Sequence, residues 1–198
     1  VAALMILVAL GAADPDLQPS ALRLMVTTAV ALLAPLFWPG IAATPARTVL
    51  RVVGWSVAAA CLAALALSAF GTALLAPSRA FVACAMLTLI LIVTHALAAI
   101  LEGQWRELPA TAQGARELAC RTSALLLALL GSLPLWLGPT AELLSARYDW
   151  VVDAILGMSP LAHLAIASGN DLLRNQWFYQ HSNLASLQVA YPDSTALF

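Results

Sequence analysis

Charged side chains are scarce in this chain, where they make up 10% of the residues, against roughly 25% in an ordinary soluble domain. Lysine is absent, so all nine basic residues are arginines, and the net charge is -1. This balance gives no reason to expect nucleic acid as a partner. Hydrophobic residues make up 62% of the chain, and its mean hydropathy is +0.90. Together these values exclude an ordinary soluble domain and indicate an integral membrane protein.

Motifs that carry common chemistry are also missing. The chain has no phosphate-binding glycine loop, no HExxH and no GxSxG. Its three cysteines, Cys61, Cys84 and Cys120, form no CxxC pattern, which argues against a disulfide framework or a cysteine metal site. No predicted span has Asp, Glu or Arg near its middle, so the ion relay of many pumps is absent. We therefore expect a protein that is not an enzyme and has no metal site.

The apolar residues come in long blocks, which favours helices that cross a bilayer. We predict an all-α fold, a polytopic transmembrane helix bundle of about five spans, followed by a different C-terminal region from Pro139. The division is a bundle over residues 1–138 and interfacial or re-entrant helices with a polar tail over 139–198. The predicted spans are residues 1–13, 21–38, 52–75, 80–101 and 122–138. The first is short, and we interpret it as the end of a span rather than a cleaved signal.

Ala80–Leu101 is the longest clean span, with no charge and no proline. At about 1.5 Å per residue it covers roughly 33 Å, enough for a hydrocarbon core about 30 Å thick. A stripe of smaller and more polar residues follows its helical period and should face protein, while the Leu, Ile and Phe faces should meet lipid. The stripe consists of Ala80, Cys84, Thr88, Leu91, His95 and Ala99.

His95 is the one ionisable side chain deep inside a predicted span. A neutral imidazole there could bind haem, chlorophyll or a metal, or pass protons, and His163 is the candidate second haem ligand. The alternative is a structural hydrogen bond, for which Thr88, Thr94 and Ser68 are candidate partners. We favour the hydrogen bond, and we keep His95 as the candidate cofactor-binding residue.

The segment Glu102–Arg121 is predicted to be the longest polar loop between spans, and its second half could form a short helix at the membrane surface. Aromatic residues near span ends, such as Trp38, are expected at the membrane–water interface. These assignments leave Glu102 outside the bundle.

The region after Pro139 has too few apolar residues in each helix for a further span. Ser145 should cap a helix over 146–156 that ends at Gly157, and Ser159 with Pro160 should begin another. This helix-break-helix unit lies at the interface or dips into the membrane. Trp150 lies on the apolar side of its first helix. Trp177, Phe178 and Tyr179 in the tail suggest either an interface anchor or a docking patch for a partner.

Arginine positions give a small bias in orientation. Five spans place Arg47, Arg51, Arg106, Arg116 and Arg121 on one side, and Arg23, Arg79, Arg147 and Arg174 on the other. Because cytoplasmic loops carry more arginine, we expect a cytoplasmic N-terminus and a periplasmic C-terminal tail. The tail lies on the opposite side if the helix-break-helix unit completes a sixth crossing. The expected location is the bacterial inner membrane.

The sequence favours a non-catalytic accessory or structural subunit of a larger inner-membrane complex, with the lipid bilayer and other membrane subunits as partners. A second interpretation rests on several spans, an interfacial helix and a re-entrant pair after the fifth span. That architecture is broadly similar to ATPase-driven exporter permeases of the ABC-2 type, although those permeases normally end with a sixth span. A third interpretation is a subunit that binds haem or chlorophyll through His95.

Overall fold

The structure is a computed structural model that describes residues 19–69, 77–107, 111–137 and 150–170. Within these ranges 89% of the residues are helical and none lies in a β-strand. An all-helical fold is therefore confirmed for the described part of the chain. Its helices are α1 Pro19–Leu33, followed by a 3-10 turn Ala34–Phe37, then α2 Pro45–Ala69, α3 Pro77–Arg106, α4 Ala112–Gly131, α5 Leu133–Trp136, α6 Trp150–Met158 and α7 Pro160–Ser168.

Two of these helices are long and apolar enough to cross a membrane, by length and composition alone. They are Pro45–Ser68 and Pro77–Arg106, with mean hydropathies of 1.9 and 2.4. The apolar segment Ala21–Phe37 is shorter. The predicted span over residues 1–13 and the tail with Trp177, Phe178 and Tyr179 lie outside the described residues.

The predicted start of α2 lies too far along the chain. The helix begins at Pro45 rather than at residue 52, because Thr44 accepts a hydrogen bond from the Arg47 amide (3.4 Å) and proline fits the first helical position. Arg47 and Arg51 are therefore part of the helix. They lie on its first two turns rather than in a loop.

The predicted polar loop Glu102–Arg121 is wrong, because helices occupy most of it. α3 continues to Arg106, and α4 begins after Thr111, whose hydroxyl accepts a hydrogen bond from the Gly114 amide (3.1 Å). The expected surface helix is the first part of α4, and no separate one exists among the described residues. Of the polar side chains in this segment, Glu102 finds partners inside the fold and Arg106 pairs with it.

A break at Gly131 and Ser132 separates α4 from the short helix α5, which contains Pro134. Gly131 has a packing role, because a Cβ there would lie 2.9 Å from Cγ of Leu161 on α7. The absent side chain allows α7 to approach the end of α4 closely.

The helix-break-helix unit is present as α6 and α7, and α6 runs through Gly157 to Met158. The predicted start of its first helix, with the Ser145 cap, lies outside the described residues. Ser159 caps α7 as predicted, since its hydroxyl accepts from the Ala162 amide (3.3 Å) and Pro160 follows it. The same hydroxyl donates to the Gly131 carbonyl (3.0 Å). Ser159 thus fixes the break between α6 and α7 to the end of α4.

The helix α3 lies at the centre of the described bundle and packs against α1, α2, α4 and α7. Its buried face consists of Ala83, Leu87, Leu91, Thr94, His95, Ala98 and Glu102. The predicted protein-facing stripe is correct at Leu91 and His95. Its other members, Ala80, Cys84, Thr88 and Ala99, are only partly buried, because the real stripe is rotated by about one residue. Exposed apolar residues on the opposite side are Phe81, Leu89, Val93 and Ile100.

Candidate functional site

A buried carboxylate at the end of α3 organises the polar interior. Glu102 is 0% exposed. Its oxygens accept hydrogen bonds from the Trp38 indole N–H (3.0 Å), the Ile41 amide (3.0 Å) and the Arg106 guanidinium (2.5 Å). Three donors, one of them charged, compensate the carboxylate for the water that it has lost. Glu102 therefore joins the end of α3 to the segment between α1 and α2.

That segment reaches Glu102 because of local backbone chemistry. Pro35 lies in the tight 3-10 turn at the end of α1, and Trp38 follows it in an extended conformation. Gly40 has φ of +90°, a conformation that other residues adopt only with strain. Arg51 on α2 donates to the carbonyls of Gly40 (3.1 Å) and Ile41 (3.3 Å). The turn is thus held by α2 on one side and by Glu102 on the other.

Gly40 provides a direct test of this turn. A Cβ there would lie 3.1 Å from Cδ of Arg116 and 3.2 Å from Oε1 of Glu102. We expect Gly40→Ala to lower the free energy of unfolding by about 1–2 kcal/mol, since it adds backbone strain to a crowded contact. Thermal or denaturant unfolding in detergent measures the change.

Gly54→Ala is the matched control for Gly40→Ala. Gly54 lies on an exposed face of α2, where an added Cβ meets no atom within 4 Å. Alanine there should be neutral or should stabilise the helix by about 0.5–1 kcal/mol. Equal effects of the two substitutions would contradict the role assigned to the Gly40 turn.

His95 lies two turns before Glu102 on the same buried face of α3, against Trp38. The two rings stack with centroids 5.6 Å apart and 23° between their planes. Nδ1 of His95 lies 2.9 Å from the Ser56 hydroxyl oxygen. That hydroxyl donates to the Val52 carbonyl on α2, at 2.7 Å. Nε2 makes no hydrogen bond within the described residues, although the Ala34 carbonyl is close enough to interact with the ring. We call Glu102, Arg106, Trp38, His95 and Ser56 the Glu102 cluster.

The hydroxyls predicted to bond His95 are engaged elsewhere. Those of Thr88, Thr94 and Ser68 donate to carbonyls of their own helices, at Cys84, Ile90 and Leu65 respectively. The partner is Ser56 on α2, so the expected partners were wrong. The candidate second haem ligand, His163, has its Nε2 2.8 Å from the Gly157 carbonyl.

A cavity of about 510 Å³ opens beside the Glu102 cluster. Its lining combines aromatic and apolar groups of the Trp38 turn with two arginines and a glutamate of α4. The lining residues are Leu36, Phe37, Trp38, Pro39, Arg116, Glu117, Cys120 and Arg121. Glu117 and Arg121 form an exposed ion pair at 3.7 Å. His95 does not line this cavity. Since the lining carries both positive and negative side chains, the cavity has no clear preference for a ligand of either charge.

A second, apolar crevice of about 340 Å³ lies between α1 and α2. It is lined by Val30, Leu33, Ala34, Phe37, Trp55, Ala58, Ala59 and Leu62. All of these side chains are apolar except for the indole N–H of Trp55. In a bilayer such a crevice suits an acyl chain, and it offers no group for catalysis.

Of two aromatic residues singled out from the sequence, the structure places only Trp38 differently from the prediction. Trp38, expected at the membrane interface, is 3% exposed and belongs to the Glu102 cluster. Trp150 at the start of α6 is 66% exposed, which suits a partner or interface anchor. No group of three or more metal-ligating side chains occurs among the described residues.

Glu102 was missed because its helix was thought to end at residue 101. The available signal was spacing: Glu102 continues the buried steps from Leu91 through His95 and Ala98. Arg106 then follows at four residues, the separation of an ion pair on a helix. No protein-family model matches the chain, and neither curated proteins nor solved structures gave a match. The Glu102 cluster is therefore interpreted from its own geometry.

Proposed function

We propose that this chain is a non-catalytic subunit of a larger complex in the bacterial inner membrane. The observation that carries the proposal is the Glu102 cluster, in which polar groups bind each other across α2, α3 and the Trp38 turn. A carboxylate with three donors and an imidazole stacked on tryptophan stabilise helix packing. Such groups are engaged in structure, which leaves little for proton transfer or substrate binding.

The outer surface supports the same proposal. Large apolar side chains cover the outward faces of α2, α3 and α4, including Leu65, Val93 and Leu125, each at least 60% exposed. In a bilayer these faces meet either acyl chains or the helices of another subunit. The exposed Trp150 adds an aromatic group of the kind enriched where proteins dock, and the sequence of the tail, outside the described residues, has three more in Trp177, Phe178 and Tyr179.

Cross-linking in intact membranes tests for such a subunit. A photoreactive amino acid at Val93 or Leu125, both exposed, should give a discrete adduct with one other membrane protein. The matched control is Leu87, which is fully buried on the same helix as Val93 and should react only within the chain. Adducts with lipid alone from all exposed positions would contradict the proposed subunit.

We also propose five spans, with the N-terminus in the cytoplasm and the tail in the periplasm. The fold supports the orientation because Arg51, Arg106 and Arg116 all lie around the Trp38–Ile41 turn at one end of the bundle. Arg47 and Arg121 lie near the same end by their positions on α2 and α4. We call these five residues the arginine-rich end. Arg23 and Arg79 lie at the opposite end, and the excess of arginine favours a cytoplasmic location for the first.

Cysteine labelling measures this orientation directly. The background has Cys61, Cys84 and Cys120 replaced by alanine. Arg47→Cys places a thiol at the start of α2, at the arginine-rich end, and Ser78→Cys places one at the start of α3, at the opposite end. Both positions are exposed. A membrane-impermeant maleimide added to spheroplasts should label Ser78→Cys and not Arg47→Cys. The reverse pattern would contradict the orientation, and labelling of both would contradict a crossing by α2 and α3.

A permease of the ABC-2 type is the second candidate. The feature that favours it is the helical pair α6–α7, whose break at Ser159 is bonded to the end of α4. Copurification with an ATPase, and a nucleotide-dependent change in α6–α7, would support it over the structural subunit.

A subunit that binds haem or chlorophyll is the third candidate. The feature that favours it is Nε2 of His95, which is buried without a hydrogen bond among the described residues. The packing of Trp38 against the ring would have to change to admit a tetrapyrrole. A visible absorption band that disappears in His95→Ala would support this candidate, and a colourless pure protein would end it.

A further inference from the structure

Three helices bring cationic and polar groups together at the end of the bundle opposite the Glu102 cluster. Arg23 lies on the first turns of α1, Arg79 on the first turn of α3, and Ser168 and Gly169 at the end of α7. This group is separate from the Trp38 turn and from both cavities described above. We call Arg23, Arg79 and Ser168 the Arg23 cluster.

Arg23 is buried although it carries a full charge. The residue is 4% exposed, and its Nε donates to the Ser168 carbonyl at 3.2 Å. Its Nη1 is enclosed and has no hydrogen-bond partner within the described residues. The Ser168 hydroxyl is likewise enclosed and unpaired there, on a residue that is 0% exposed. Two donors from different helices are thus left without an acceptor, which costs free energy unless something fills the position.

Arg79 adds a second positive charge at the same place. It is exposed, and its guanidinium packs against Gly169, which has φ of +74°. A side chain on that residue would collide with the guanidinium. Arg79 is also close enough to Arg23 for the two charges to repel. The geometry therefore holds two like charges together at the end of α7.

No described carboxylate offsets these charges. The ion pairs of the described residues, Arg106–Glu102 and Arg121–Glu117, both lie towards the arginine-rich end. The carbonyls at the end of α7 supply partial negative charge, but one is used by Nε of Arg23 and others accept from the Gly169 and Asn170 amides. An anion at this position would relieve the repulsion and accept from the unpaired donors.

We propose that the Arg23 cluster binds the phosphate of an anionic glycerophospholipid. Nη1 of Arg23 and the Ser168 hydroxyl donate to phosphate oxygens from the inner side, and the exposed Arg79 guanidinium contacts them from the outer side. A lipid is favoured as the source because the cluster lies at the ends of three helices, the depth at which lipid headgroups lie in a bilayer. The bound lipid then ties α1, α3 and α7 together.

The proposal requires that the chain lies in a membrane, but it does not depend on a partner subunit. It predicts that anionic lipid stabilises the isolated full chain more than phosphatidylcholine does, because the choline cation beside the phosphate of phosphatidylcholine is repelled by the two arginines. We would place the chain in phosphatidylcholine nanodiscs with and without phosphatidylglycerol and measure the thermal unfolding temperature. Retained lipid would be counted by native mass spectrometry. The wild type should unfold at a higher temperature with phosphatidylglycerol and should retain at least one such lipid.

Two mild variants test the residues. Arg79→Gln removes an exposed charge and Ser168→Ala a hydroxyl, so both should fold even where Arg23→Gln does not. Each should bind phosphatidylglycerol on the order of tenfold more weakly, the loss expected for one charge-assisted or buried hydrogen bond. The matched control is Arg47→Gln, an exposed arginine at the opposite end, which should keep the lipid-dependent stabilisation. Equal lipid-dependent stabilisation in wild type, Arg79→Gln and Ser168→Ala would overturn the proposal.

A free anion is distinguished from a lipid by adding inorganic phosphate to the phosphatidylcholine nanodiscs. Little stabilisation is expected, because a free ion lacks the acyl chains that hold a lipid at this depth. Stabilisation by inorganic phosphate equal to that by phosphatidylglycerol would overturn the assignment to a lipid.

Discussion

Glu102→Ala is expected to lower the free energy of unfolding by about 3 kcal/mol. The substitution removes the acceptor of the Trp38 indole, the Ile41 amide and the Arg106 guanidinium at once. The first two donors lie at buried or partly buried positions, where water replaces the lost bonds poorly. Glu102→Gln keeps an acceptor oxygen and should lose less, about 1–2 kcal/mol. Unfolding in detergent, monitored by circular dichroism, measures the change in free energy for both variants.

Glu107→Ala is the matched control for Glu102. Glu107 follows the end of α3 and is exposed, so its loss should change the free energy of unfolding by less than about 0.5 kcal/mol. A Glu102→Ala variant as stable as Glu107→Ala would show that the Glu102 cluster does not stabilise the bundle.

Trp38→Ala should have an effect at least as large, about 4 kcal/mol. It removes a 3% exposed aromatic side chain, the hydrogen bond to Glu102 and the stack on His95. Trp38→Phe keeps most of the stack and removes the N–H, so about 1–2 kcal/mol is expected. The difference between the two variants separates packing from hydrogen bonding, and thermal unfolding in detergent gives both values.

Trp136→Ala provides the control for aromatic truncation. Trp136 is 54% exposed, on α5, and its replacement should cost much less than that of Trp38. Trp38→Phe combined with Glu102→Gln should cost less than the sum of the single changes, because both remove the same hydrogen bond. Strict additivity of the two changes would contradict a direct contact between them.

The helical class and the central position of α3 could be predicted from the sequence, because long apolar runs and helical periodicity are local properties. Leu91 and His95 were placed on the buried face for that reason. The orientation of the stripe was wrong by about one residue, since the positions of α2, α4 and α7 around α3 decide which side is covered. Those positions depend on contacts far apart in the chain.

The Glu102 cluster could not be predicted because it joins residues separated by about 60 positions. Considered alone, Trp38 is reasonably assigned to a membrane interface and Glu102 to water. The turn at Gly40 brings them together, and the hydrogen bond between them offsets the free-energy cost of burying each polar group. Arg23 was likewise read as a residue near a span end, whereas α7 encloses it.

The most direct test of the proposed function is native extraction from the membrane followed by mass spectrometry. A subunit whose outer faces pack against other proteins should leave the membrane with at least one different polypeptide in a fixed ratio. Dissociation from that polypeptide should lower the thermal stability of this chain. Recovery of the 20.7 kDa chain alone, as a monomer with undiminished thermal stability, would contradict the proposal.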